Sequence, residues 1–133
     1  MILRKEFEFD AAHRLVGHKG ACKNLHGHTW RVEIEMEINK LDEVGMTWDF
    51  GNAKTIKNML DHKTILKKCK ENENLIKTIE ETCGIDSVVV MKGNPTAENL
   101  STEIRDLILK QSDNIKSLKI IIWESGTSSM EAK

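Results

Sequence analysis

The stretch His26-Gly27-His28-Thr29-Trp30-Arg31-Val32-Glu33-Ile34-Glu35-Met36-Glu37-Ile38 alternates with almost no error. His26, His28, Trp30, Val32, Ile34, Met36 and Ile38 share one parity, and Arg31, Glu33, Glu35 and Glu37 take the other. A period of two is the mark of a strand with one buried face. Upstream, Phe7, Phe9, Ala11, His13 and Leu15 alternate with Glu6, Glu8 and Arg14 in the same way. Val16 to Leu25 lies between the two, carries Gly17, Gly20 and Asn24, and reads as a loop of turn-forming residues. The two strands are therefore expected to pair antiparallel.

Beyond them the pattern changes. Asp49 is placed to cap a helix running to Asp61, with Ala53, Ile56 and Leu60 on one side. A second helix is expected over Glu73–Cys83, stopped by Gly84. Ser87–Met91 reads as a short buried strand, and Asn94-Pro95 as a cap with a first-turn proline. The helix after it should bury Leu100, Ile104, Leu107 and Ile108. Leu118–Glu124 is the last expected strand, and Gly126–Lys133 a polar, mobile tail. With no repeat, linker or low-complexity tract, residues 1–133 are expected to form a single α+β domain around an antiparallel sheet.

Composition narrows the function. The 133 residues hold 20 Lys+Arg against 21 Asp+Glu, a net charge of -1, which argues against general electrostatic binding to nucleic acid or anionic membrane. At 39% hydrophobic and 31% charged the chain has a folded, water-soluble composition. No apolar run is long enough for a membrane helix, and Arg4, Lys5, Glu6 and Glu8 interrupt any secretory pattern, so a cytoplasmic location is expected. Cys22, Cys69 and Cys83 are odd in number and form no Cys-x-x-Cys pair, which leaves neither a closed disulfide framework nor a four-cysteine zinc site.

Four of the five histidines fall within residues 13–28. His26 and His28 are two apart on one strand and His13 is on the apolar face of its neighbour, an arrangement suited to zinc with one coordination position left open. The simpler alternative is a set of half-buried core histidines. His18, in the glycine-flanked loop, is expected in solvent. Cys22 precedes His26 by four residues and is open to three roles: a fourth metal ligand, a reactive thiolate, or an inert thiol. Asp61-His62 pairs a carboxylate with an imidazole, as acid–base catalysis requires, but only if the helix ends before the pair. Glu124 closes the apolar row Leu118, Ile120 and Ile122; a carboxylate there matches the two-donor edge of a nitrogen-rich heterocycle, or else it lies in water past the sheet. Glu98 reads simply as a complement to a helix N-terminus.

Together, Phe9-Asp10-Ala11-Ala12-His13-Arg14-Leu15, Cys22 to His28, Gly45-Met46-Thr47-Trp48-Asp49-Phe50, Leu60-Asp61-His62-Lys63, Asn94 to Leu100 and Trp123-Glu124-Ser125 resemble the 6-pyruvoyl-tetrahydropterin synthase / 6-carboxy-tetrahydropterin synthase family. Each motif is weak alone; six in family order across nearly the whole chain are specific. The resemblance implies a T-fold, a four-stranded antiparallel sheet with helices on one face, whose subunits join into barrels as trimers or hexamers. It implies zinc on His13, His26 and His28, Cys22 as general base assisted by Asp61 and His62, residues from neighbouring subunits meeting at one site, and Glu124 anchoring the pterin ring with Thr96 and Glu98 nearby. The implied substrate is 7,8-dihydroneopterin triphosphate.

The gap of three residues between Cys22 and His26 resembles the 6-carboxy branch, which feeds 7-deazaguanine (queuosine or archaeosine) synthesis through a small-molecule precursor and so needs no direct nucleic-acid contact. The alternatives are the pyruvoyl-forming branch, a non-catalytic zinc- or pterin-binding protein in which Cys22 closes the metal site, and an aldolase acting on a dephosphorylated pterin. Two departures stand out: the long, lysine-rich segment 64–93 and a tail without an aromatic after Glu124.

Overall fold

A computed structural model describes all residues, Met1–Lys133. The two alternating stretches form β1 (Ile2–His13) and β2 (His26–Ile38), paired antiparallel from Ile2 opposite Glu37 to His13 opposite His26. Their apolar parity turns inward: Phe9, Ala11, Trp30, Val32, Ile34 and Met36 are buried, while the charged parity faces out. The chain continues through α1 (Gly51–Leu60), β3 (Lys63–Lys67), α2 (Glu73–Cys83), β4 (Val88–Met91), α3 (Ala97–Leu109), β5 (Ile115–Ser125) and β6 (Ser128–Ala132).

The α+β class holds, but the sheet is larger than expected. It has six strands in the order β4-β3-β1-β2-β5-β6. Strands β1, β2, β5 and β6 are antiparallel and form the four-stranded portion, whereas β3 runs parallel to β1 and β4 parallel to β3. Lys63-Thr64-Ile65-Leu66-Lys67 is too short to show a period; the existing edge of β1 recruits it over Ala11–His13. The expected mobile tail is instead β6, a hairpin partner of β5 that places Ser129 opposite Trp123 and Met130 opposite Ile122. Its composition is polar because it is exposed, and its order comes from backbone pairing.

The helices do not all share one face. Helix α1 buries Ala53, Ile56 and Leu60, and α3 buries Leu100, Ile104 and Ile108, in the same core as Trp30, Ile34 and Ile120. Helix α2 buries no residue fully and lies on the other side of the β3–β4 end, where Ile76, Lys77 and Glu80 bound a shallow cavity with Val90. Strand β4 is half-buried rather than buried, since it is a sheet edge. Helix starts also differ in detail. Asp49 Oδ1 accepts from Gly51 N–H at 2.7 Å, ahead of Phe50, and α1 ends at Leu60 rather than Asp61. The cap of α3 is Thr96, whose hydroxyl accepts from Asn99 N–H at 3.2 Å; Asn94 is outside the helix.

Candidate active site

Because β1 and β2 pair with His13 opposite His26 and Ala11 opposite His28, the three imidazoles project from the inner face of the sheet. Their ring centroids lie 4.6, 5.1 and 4.9 Å apart, and one nitrogen of each falls within 4.8 Å of the others. Trp30 meets His13 and His28 edge-on and is itself stacked on Phe9, so the cluster has an aromatic floor.

Hydrogen bonds to carbonyls define the tautomers of His13 and His26. His13 Nδ1 donates to the Pro95 carbonyl and His26 Nδ1 donates to the Asn24 carbonyl, each at 2.7 Å, because a carbonyl can only accept. Both Nε2 atoms are then lone pairs in the neutral rings, and they face each other at 3.1 Å. His28 Nε2 is buried without a hydrogen-bond partner. The unprotonated Nε2 atoms of His13 and His26 repel at that distance unless a cation lies between them, and His28 adds a third ring nitrogen without a hydrogen-bond partner, so the donor set fits a metal ion. His13 is 1% exposed, and burial pushes its pKa below that of a free imidazole, against the raising effect of the Pro95 carbonyl. Neutral imidazole is the form that ligates.

Glu124, near the end of β5, reaches to 3.7 Å from His28 Nε2, so its carboxylate lies partly buried beside the histidines rather than in water past the sheet. Cys22 sits in a short 3-10 turn, Ala21–Lys23, and is partly exposed; its sulfur is not among the converging ligand atoms. His18 is exposed, with its Nδ1 accepting from Gly20 N–H.

Asp61 and His62 form a separate cluster. Helix α1 has ended, so the pair can meet: His62 Nδ1 lies 3.1 Å from Asp61 Oδ2. His62 has φ 59°, a left-handed conformation that histidine tolerates better than most residues, and this turn delivers the chain to β3. Asp10 organises the pair. Its N–H donates to Asp61 Oδ1 at 2.8 Å, its carbonyl accepts from His62 N–H at 2.6 Å, and its side chain accepts from Thr29 Oγ1 at 2.5 Å. The Asp10 N–H, and after it His62, hold the Asp61 carboxyl below the usual carboxylate range. Asp10 and Thr29 belong to the outer parity of β1 and β2, so within one chain this cluster and the histidines are on opposite sides of the sheet. Thr96 caps α3, and Glu98 is exposed in its first turn.

The sequence reading passed over Asp10, Asn24, Thr29 and Pro95. Asp10 was visible only as the polar residue inside the Phe9–Leu15 motif, and the others act through backbone carbonyls or a hydroxyl that no spacing advertises.

The fold is that of the pterin synthases. Residues 2–133 match the family model for 6-pyruvoyl tetrahydropterin synthase, and the chain belongs to that family. It is 35% identical over 126 residues to a 6-carboxy-5,6,7,8-tetrahydropterin synthase of Rickettsia typhi, covering 87% of this chain and 89% of the relative. It is 33% identical to the Haemophilus influenzae protein of the same name, over 97% of this chain and 96% of the other. Among solved structures, the Plasmodium vivax 6-pyruvoyltetrahydropterin synthase superposes with a TM-score of 0.67 at 18% identity, covering 99% of this chain and 97% of that one. An uncharacterized Wolinella succinogenes protein superposes with a TM-score of 0.78 at 19% identity, with the same coverage.

Proposed function

We propose that this protein is a zinc-dependent lyase converting 7,8-dihydroneopterin triphosphate to 6-carboxy-5,6,7,8-tetrahydropterin, acetaldehyde and triphosphate. The observation that carries the reading is the convergence of three ring nitrogens from His13, His26 and His28 beside the Glu124 carboxylate. Two relatives named for the carboxy activity, each matched over most of both chains, favour that branch over the pyruvoyl one.

His13, His26 and His28 would hold zinc, which supplies Lewis acidity toward the substrate's side-chain oxygens. Glu124 is positioned to accept from the N–H edge of the pterin and so aim the side chain at the cluster. The Thr96–Glu98 segment follows Pro95, which orients His13, and is assigned to the same substrate wall. Cys22 would remove and return a proton at the side chain, and His62, oriented by Asp61, would handle the second.

Because one chain puts the two clusters on opposite sides of its sheet, a complete site needs His62 from a neighbouring copy. Two features support such an assembly, a trimer or hexamer joined through sheet edges. The edge of β1 over Ile2–Phe9 and the outer edge of β6 carry no strand partner. The exposed area of 8096 Å² also exceeds the roughly 7,100 Å² that a compact chain of this mass presents. No helix is long and apolar enough to cross a membrane.

The test is product release. Zinc-loaded protein given 7,8-dihydroneopterin triphosphate should yield acetaldehyde and the 6-carboxy product; a pyruvoyl product without acetaldehyde assigns the sister reaction. Cys22→Ala should keep its zinc and lose turnover. Loss of zinc in that variant would make the thiol a ligand instead.

A further inference from the structure

The turn before α3 does more than start a helix. Asn94 grips the backbone of Val16 with both ends of its amide: Val16 N–H donates to Oδ1 and Nδ2 donates to the Val16 carbonyl, each at 2.9 Å. These are the two bonds a neighbouring strand would make, supplied by one side chain across 78 positions of sequence. Val16 opens the loop that carries Cys22, and the preceding residue, Leu15, donates its N–H to the Cys22 carbonyl at 2.9 Å. Asn94 is therefore two bonded steps from the thiol-bearing residue.

The clamp is itself braced. The Asn94 carbonyl accepts from Asn99 Nδ2 and from Thr96 N–H, each at 2.8 Å. Gly93 leaves room for this brace, since a Cβ there would sit 2.8 Å from Asn99 Nδ2 and press that amide away. The next residue, Pro95, is the one whose carbonyl orients His13. Adjacent residues of a single rigid turn thus hold an imidazole of the metal cluster and the loop bearing Cys22.

We infer that Asn94 is a positioning residue that sets where Cys22 stands relative to the histidine cluster. A proton can be transferred only between groups in hydrogen-bond reach, and a thiol on an untethered loop would spend most of its time out of reach. Only an amide satisfies both Val16 groups: aspartate keeps the acceptor and loses the donor, and alanine loses both. The effect on turnover rests on the proposed role of Cys22, whereas the effect on the loop does not.

The experiment compares zinc-loaded wild type, Asn94→Asp and Asn94→Ala by hydrogen exchange, zinc content and steady-state kinetics. Amide exchange within residues 15–24 should speed up at least tenfold in Asn94→Ala and by an intermediate amount in Asn94→Asp, with exchange in α3 and bound zinc unchanged. In parallel, kcat should fall 10- to 100-fold while KM stays within threefold. Should Asn94→Ala fail to fold, Asn94→Asp carries the same comparison. Wild-type exchange in the loop of either folded variant overturns the inference, as does exchange that rises equally throughout the molecule. A loosened loop with kcat intact upholds the clamp and removes Cys22 from proton transfer.

Discussion

At the scale of single residues, the site is built by carbonyls as much as by the side chains they orient. Pro95 and Asn24 commit His13 and His26 to the tautomer that leaves Nε2 free, a lone-pair conflict at 3.1 Å that a bound metal would resolve. Replacing His28 by alanine should weaken zinc binding by more than the roughly 10- to 100-fold that loss of an outer-shell partner costs, measured by competition with a chelator. Asp61 supplies a pH signature. Its folded pKa is depressed, so its contribution is complete above the ordinary aspartate value of about 3.9 and fades as pH falls through the lower folded value. Metal-free Asp61→Asn should accordingly be less stable than wild type at pH 6, by about 1 kcal/mol in urea unfolding, because its amide can still accept from Asp10 N–H. The gap should close as pH falls through that lower value. A difference independent of pH would mean that the charge is not what Asp61 contributes.

At the scale of elements, β1 and β2 present the histidines and α3 presses the sheet into shape behind them. Ile104 and Ile108 are 1% and 0% exposed, in the core with Trp30 and Ile120. Ile104→Ala should cost about 2–5 kcal/mol in denaturant unfolding, since the site sits where a helix meets a sheet and cannot collapse to fill the void. The same change should leave zinc affinity nearly unaltered, as it removes neither a ligand nor a carbonyl that orients one. Legibility differed between elements for a physical reason. The periods of β1, β2 and α3 are written in the burial of alternate or third-and-fourth residues, which is a local property. Strand β3 has five residues and is recruited by an existing edge, and β6 is exposed, so neither has a hydrophobic pattern to read.

At the scale of the whole molecule, the separation of the two clusters has a consequence that can be measured. If each active site combines histidines from one chain with the Asp61–His62 pair of another, then His26→Ala and His62→Ala should be inactive alone and active when co-expressed. Mixed assemblies would contain some sites with both clusters intact. Recovery of activity above either parent, in a fraction that elutes as an oligomer, is the expected result; no recovery in a proven mixed assembly would confine the chemistry to one chain.

The amino-acid sequence by itself determined the β1–β2 pair, the face on which His13, His26 and His28 lie, and the long helix behind them. All of these follow from parity or helical spacing, which short-range geometry enforces. Tertiary structure alone decided that β3 and β6 join the sheet, that α2 takes the other face, that Glu124 comes within 3.7 Å of His28, and that Asn94 clamps Val16. Each of those is a hydrogen bond or contact between distant segments. Its partner is chosen by which backbone groups folding leaves unpaired, and that choice exists only once the chain has closed on itself.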